Sequence, residues 1–404
     1  MKYIIVIPDG MADRDIERLE GKTPLEHART PMMDMLAACG EVGMLRTIPH
    51  GMSPGSDTAN LSIMGYDPRK CHTGRSPLEA VSLGLSLDED DMVFRCNLVT
   101  LSNDAVYKEK TMIDYGAGQI TSKDSHILTD YIRTNLETDE IKLYSGVSYR
   151  HVMVWSGGPA NTRLTPPHDI LEKKIGPHLP VGEGSDTILD IMEESGRMLQ
   201  VHPFNRSRMD TGLKPANSVW LWGQGKKPYL DDFYEKFGIR GSVISAVDLI
   251  RGIGIAAGME VIKVKGITGT VDTNMEGKAK AAVGALLSGK DFVFVHVEAP
   301  DECSHQGVLE DKIKAIEHID KRVIGYIKKA MDSSGQDYRL MVLPDHPTPL
   351  SIRTHSPDPV PFVIFDSRKK GKARSIGFNE KTASAASNMT EEGYMLAGHF
   401  FEKD

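Results

Sequence analysis

Short apolar runs that each stop at an acid or a histidine constrain this chain more than any other feature. Tyr3–Ile7 stops just before Asp9, and Phe292–Val297 ends shortly before Asp301. Leu340–Leu343 runs into Asp345-His346, and Pro361–Phe365 follows soon after. Helix-like stretches lie between them, among them Ser76–Leu85, Ser185–Leu199 and Lys278–Leu287. Continuous apolar strands alternating with helices predict an α/β protein with a mostly parallel sheet flanked by helices. In such sheets functional groups collect beyond the carboxyl ends of the strands. The acids and histidines of this sequence stand there.

The segment from Asp88 to Gly176 has a different rhythm. Phe94–Leu101 and Ala105–Tyr107 read as a hairpin, Lys123–Asn135 as a helix, and Ile141–Tyr144 and His151–Trp155 as further strands. Bounded by Thr165-Pro166-Pro167 and Gly176-Pro177, this is expected to be a smaller inserted α+β domain (88–176) within a core of 1–87 and 177–404. At 404 residues the chain is long enough for a large domain plus a smaller one. The charged run Asp366–Arg374 is expected to be a solvated loop.

The net charge of −8 argues against a nucleic-acid partner or an anionic membrane surface, so an anionic substrate needs a local positive site. The four cysteines are scattered, as in a reducing compartment. The apolar run at Tyr3–Ile7 is too short for a signal-peptide core or a membrane span, and a cytoplasmic location is the expectation.

The candidate metal ligands are spread along the whole sequence. Asp301 and His305 are four residues apart just after a strand, so a helix beginning there projects both from one face. Asp345 and His346 sit together at another strand end, His355 follows, and Asp9 closes the first strand. Singly, an Asp in such a place is commonly a turn or helix cap, and coincidence at three strand ends carries the reading. Carboxylate and imidazole without thiolate suit Mn²⁺ or Zn²⁺, with Co²⁺ also accepted, and Ca²⁺ much less. Cys303 lies among these ligands and reads as a bystander.

A second signal is Ser53-Pro54-Gly55-Ser56-Asp57-Thr58-Ala59-Asn60, where a Pro-Gly turn presents Ser56 at a helix start. Unpaired backbone N–H groups there favour a phosphate, and a serine hydroxyl becomes a nucleophile once a base or metal removes its proton. A plain N-cap is the competing reading. Gly252-Ile253-Gly254 follows a helical stretch rather than a strand, and no phosphate-binding G-x-x-x-x-G-K-[ST] loop is present.

Taken together, Ile7-Pro8-Asp9-Gly10, Pro54–Asn60, Val297–His305, Leu343–Pro349 and His355–Phe362 resemble the archaeal-type cofactor-independent phosphoglycerate mutases of the alkaline phosphatase superfamily. Gly223-Gln224-Gly225 after Trp220-Leu221-Trp222 fits as well, and the similarity reaches Gly377–Glu380. The position of Cys303 is often small or glycine-like in that family, which leaves the ligand positions intact.

The resemblance implies an alkaline-phosphatase-like core, an inserted lid domain and two divalent metal ions. Asp301, His305 and His355 would hold one ion. Asp9, Asp345, His346 and the Ser56 oxygen would hold the other. It implies interconversion of 3- and 2-phosphoglycerate, in glycolysis and gluconeogenesis, through phosphorylated Ser56 and without 2,3-bisphosphoglycerate. For the glycerate carboxylate the sequence offers Arg150 and His151 together on one strand, and also Arg163, Arg75 and Lys278. One branch of the family is labelled as a proposed homoserine kinase, which makes a homoserine kinase-like phosphotransferase the main alternative. A phosphatase of the same superfamily is a second alternative. A sulfatase would want a C/S-x-P-x-R nucleophile motif, which Ser56-Asp57-Thr58 lacks, and a non-catalytic relative would have lost ligands. Oligomeric state is not legible.

Overall fold

The computed structural model describes residues 1–369 and 374–402 of the chain. It divides into two compact units, Met1–His72 with Tyr229–Asp404, and Thr73–Pro228.

The first unit is built on an eight-stranded sheet. In chain order its strands are β1 (Lys2–Pro8), β2 (Glu41–Leu45), β8 (Gly241–Ile244), β9 (Glu260–Val261), β10 (Phe292–Val297), β11 (Tyr338–Val342), β12 (Val360–Asp366) and β13 (Met389–Thr390). The intervening numbers, β3 to β7, belong to the second unit. The spatial order is β13-β2-β12-β11-β1-β10-β8-β9. β1 lies in the middle, parallel to both neighbours, with Tyr3 opposite Phe292 on one side and Arg339 on the other. Only β12 runs against the rest, paired antiparallel with β11 and β2.

β1 is buried because helices cover both faces of the sheet, and Ile4, Ile5, Val6 and Ile7 have no exposed surface. Each such side chain withdrawn from water contributes about 1.5–3 kcal/mol. That is why these strands are continuous apolar runs rather than alternating ones. One face packs Met33, Leu36 and Ala37 of the helix Pro31–Cys39 and Ala279, Ala282 and Leu286 of the helix Met275–Leu287 against Ile4, Val6, Val295 and Leu340.

The second unit holds an antiparallel five-stranded sheet: β3 (Asp91–Leu101), β4 (Met112–Asp114), β5 (Ile141–Tyr144), β6 (Arg150–Ser156) and β7 (Ser218–Lys226). One face packs Phe94, Leu98 and Met153 with Leu128 and Ile132 of the helix Ser122–Leu136 and Ile188 and Met192 of the helix Ser185–Gln200. On the other face Ala80, from the helix Ser76–Ser82, joins Val93, Val152 and Val154.

This unit is longer at both ends than the expected 88–176 segment. The reason is pairing: β7 lies along β3 from Met92 to Val99, and the helix Ser185–Gln200 shares the apolar face of that sheet. The hairpin partner of β3 is β4, at Met112–Asp114 rather than 105–107. Gly252-Ile253-Gly254 lies inside the helix Asp248–Ala256. Within the charged run Asp366–Arg374, residues 370–373 lie outside the described residues. Its first member is not solvated: Asp366 is buried and bonded to Arg339 and Arg368. No helix among the described residues is long and apolar enough to cross a membrane.

One buried ion pair braces the first unit. Lys312, with no exposed surface, places its Nζ 2.7 Å from Asp13 Oδ2 and 3.0 Å from the Thr348 carbonyl. Asp13 in turn accepts from the Leu350 N–H at 3.2 Å. Removing one partner of such a pair strands a charge in low dielectric. Lys312→Met is therefore expected to lower unfolding free energy by about 3–5 kcal/mol, read as a fall in the urea midpoint. A change below about 1 kcal/mol would mean the pair behaves like an exposed one.

Candidate metal centre

The carboxyl ends of β1, β10 and β11 each deliver one acid to the same place. Asp9 follows β1, Asp345 follows β11, and Asp301 lies in the helix Ala299–Gln306 that starts after β10. All three are buried. Two groups of three side chains bring ligand atoms within 4.8 Å of one another: Asp9, Asp345 and His346, and Asp301, His346 and His355. His346 belongs to both. His305 adjoins the second group, its Nε2 3.1 Å from Asp301 Oδ2 and 3.2 Å from His355 Nε2. The four-residue spacing on a helix is what brings His305 back to Asp301.

Ser56 opens the helix Ser56–Ile63, with Gly55 as its N-cap, and its Oγ lies 3.1 Å from His346 Nε2. One turn on, Asn60 Nδ2 donates to the Ser56 carbonyl at 2.8 Å and to Asp345 Oδ2 at 2.9 Å. This side chain ties the serine's helix to the acid. The backbone N–H groups of Gly10 and His346 donate to Asp345 Oδ1, at 3.2 and 2.9 Å. Gly10 has φ +63, and a Cβ there would fall 2.6 Å from both Asp301 Oδ1 and Thr348 Oγ1. Only glycine fits that turn.

The electrostatics of the cluster are uneven. Burial, then the charges of Asp345 and Asp301, push the Asp9 pKa well above the ordinary carboxylate range. Burial also pushes Asp301 upward, but the His305 and His355 hydrogen bonds outweigh it and hold Asp301 well below that range. For Asp345 burial acts upward, but the neighbouring His346 and His296 imidazoles outweigh it and the pKa is lowered. The hydrogen bond to Asp301 raises His305 to about 9, while burial lowers His346.

Asp9 Oδ1 is buried without a hydrogen-bond partner. Nearby His296 Nε2 lies 3.0 Å from Asp9 Oδ2 but makes no hydrogen bond, and burial holds His296 down at about 4, neutral at physiological pH. A buried carboxyl left short of donors and pushed toward its neutral form is a place a cation would fill. The donor set of carboxylate and imidazole, with a serine oxygen beside it, fits a pair of divalent transition ions.

The remaining sequence candidates are not members of the two ligand groups. Lys278 is buried, its Nζ donating to the His296 carbonyl at 2.7 Å, and burial lowers its pKa to about 8. Cys303 is buried and its thiol is pushed up to about 11, chiefly by burial, so it stays protonated.

Arg150 and His151 face opposite ways, as neighbours on a strand do. Arg150 is exposed, whereas His151 is buried beside Thr129, accepts the Gly146 N–H, and is lowered by burial to about 3. Arg163 is exposed and pairs through its backbone with Val181.

Arg75 is half-buried with an unpartnered Nε. It has a neighbour the sequence did not single out. Arg95 of β3 is buried, lies 4.4 Å from the Trp222 ring centroid, and has its Nε 3.1 Å from Glu79 Oε2. Burial lowers the Arg95 pKa, Glu79 opposes that, and the charges of Arg75 and Arg150 lower it further. Three guanidinium groups thus share one electrostatic neighbourhood in the second unit. An arginine in the apolar run Met92–Val99 was the available signal.

The profile of the 2,3-bisphosphoglycerate-independent phosphoglycerate mutase family matches residues 37–205. A protein of Geobacter sulfurreducens described as a probable enzyme of that name is 50% identical over 396 residues, 98% of each chain. One from Methanosarcina barkeri is 47% identical over 388 residues, 96% of each. Among solved structures, a Pyrococcus horikoshii protein superposes with a TM-score of 0.80 at 31% identity, covering 100% of this chain and 98% of that one. The cofactor-independent phosphoglycerate mutase of Thermoplasma acidophilum gives 0.65 at 28% identity and 98% coverage of both.

The raised His305 pKa has a measurable consequence in metal-free protein. Its folded value, about 9, exceeds the ordinary histidine value of about 6.5. The stability His305 contributes is therefore complete below about pH 6.5 and is lost as pH climbs through about 9. Urea midpoints of metal-free protein should decline across that window, and His305→Gln should flatten the decline. An unchanged slope in the variant would assign it to another group.

Proposed function

This chain belongs to the 2,3-bisphosphoglycerate-independent phosphoglycerate mutases and is an isomerase; from that premise, we propose that it interconverts 3- and 2-phosphoglycerate through a phosphorylated Ser56 beside a two-metal site. The observation that carries this reading is Ser56 Oγ at 3.1 Å from His346, the residue common to both candidate ligand groups. Asp9, Asp345 and His346 would hold one ion, and Asp301, His305 and His355 the other. Bound ions would lower the Ser56 hydroxyl pKa and neutralise the phosphoryl oxygens.

Ser56 Oγ loses its proton as it attacks phosphorus, the bond from phosphorus to the glycerate 3-oxygen breaks, and that oxygen takes up a proton, leaving phosphoserine and glycerate. Glycerate reorients, its 2-hydroxyl loses its proton as it attacks phosphorus, and the bond to Ser56 Oγ breaks with return of a proton to the serine. The serine is restored and 2-phosphoglycerate leaves. Asn60 fixes Ser56 for both transfers by holding its carbonyl and Asp345 together, as positional precision requires.

The Thr73–Pro228 unit has the role of a lid in this proposal. Water that reached phosphoserine would convert a mutase into a phosphatase, so exclusion of water is part of the chemistry. The guanidinium groups of Arg75, Arg95 and Arg150 supply the grip on the glycerate carboxylate. Three cations with one close carboxylate, Glu79, are suited to a further anion.

Phosphorus NMR of Mn²⁺-loaded protein with 3-phosphoglycerate, without bisphosphoglycerate or nucleotide, tests the reading. A 2-phosphoglycerate signal that requires metal and disappears in Ser56→Ala is expected. Free phosphate alone would identify a phosphatase, and phosphohomoserine formed only with ATP and homoserine would identify the kinase. Arg150→Ala should raise KM for phosphoglycerate about tenfold or more, the loss of one charge-assisted hydrogen bond worth about 1.5–3 kcal/mol. Unchanged KM and turnover would remove Arg150 from the site.

A further inference from the structure

Thr348 has a place in the fold that the proposed chemistry does not yet use. It is fully buried, and each of its polar groups is engaged. Its N–H donates to the Ala12 carbonyl at 3.2 Å, and its carbonyl accepts from Lys312 Nζ at 3.0 Å. Its Oγ1 stands between two candidate ligands, 2.5 Å from Asp301 Oδ1 and 3.2 Å from His346 Nδ1.

A hydroxyl has one proton to give. Asp301 Oδ1, a carboxylate oxygen, accepts it. The oxygen must then accept from His346, so the His346 proton sits on Nδ1. The hydrogen bond made by one ring nitrogen decides which of the two can bind a metal. With Nδ1 protonated, His346 Nε2 presents its lone pair toward Ser56 Oγ, 3.1 Å away, and toward Asp345 Oδ2 at 3.4 Å and Asp9 Oδ1 at 3.7 Å.

From this we propose that Thr348 is a positioning residue that fixes the His346 tautomer and links the two candidate metal groups through one hydroxyl. The inference rests on the ligand reading given above. Thr348 orients Asp301 in one group and His346, which is shared by both, so its loss affects both ions rather than one. The clamps on its backbone account for its fixed position. The Lys312–Asp13 pair holds the Thr348 carbonyl and the Leu350 N–H, and Gly10 leaves just enough room beside Asp301 for the hydroxyl to sit. Partners of this kind typically change metal affinity about 10–100-fold when removed.

The test combines two measurements on the full chain. Isothermal titration with Mn²⁺ should show Thr348→Val weakened about 10–100-fold and Thr348→Ser, which keeps the hydroxyl, within about threefold of wild type. Nitrogen-15 NMR of the histidine rings in metal-free wild-type protein should show His346 protonated on Nδ1.

Wild-type binding by Thr348→Val, or equal losses in the Val and Ser variants, would overturn this inference alone. So would a proton found on Nε2, a result that holds even if the Val variant does not fold. Wild-type protein that takes up no Mn²⁺ would overturn the ligand reading and this inference together.

Discussion

Repulsion among three buried carboxylates organises this molecule. Asp9, Asp301 and Asp345 follow three adjacent parallel strands of one sheet and meet where water is scarce. Like charges at such separations are costly in low dielectric. The surroundings answer with donors: His305 and Thr348 on Asp301, and Asn60 with two backbone N–H groups on Asp345. Asp9 receives the least, and its pKa rises accordingly. The imbalance leaves Asp9 as the acid a cation would serve most, and the nucleophile candidate Ser56 stands 3.1 Å from the neighbouring His346.

The core of this arrangement was legible in the sequence because its signals are local. Apolar runs such as Tyr3–Ile7 and Phe292–Val297 mark buried parallel strands, and an acid after each run marks a carboxyl end. Asp301 and His305 could be paired from helical spacing alone. What escaped was whatever depends on distant pairing. β7, at Ser218–Lys226, joins β3 more than a hundred residues earlier, so the second unit extends past the break suggested by composition. His151 looked like a partner for Arg150 until strand alternation turned it into the apolar layer.

The residues between the candidate ligands and the core were the least legible. Lys312 reads as an ordinary surface lysine of an amphipathic helix, yet it is buried against Asp13, a contact about three hundred residues away. Arg95 sits in a strand buried along its whole length, among apolar residues such as Phe94, Cys96 and Leu98. Such groups have no spacing rule because their partners come from other segments. The same long-range clamps make the loops after β1 and β11 behave as one piece: Met11 and Ala12 pair with Pro347, and Thr348 closes on Ala12.

The central position of β1 has a consequence for biosynthesis. Its two partner strands lie far downstream, Phe292 beside Tyr3 on one side and Arg339 on the other. At ~5–20 residues per second, an apolar ribbon waits roughly 15–60 s on the ribosome before its first neighbour exists. Throughout that interval it presents unpaired backbone edges and bare isoleucines, a surface that invites association with other nascent chains. The strand that supplies Asp9 is therefore made long before Asp301 and Asp345, and the three acids can meet only after β10 and β11 have been synthesised.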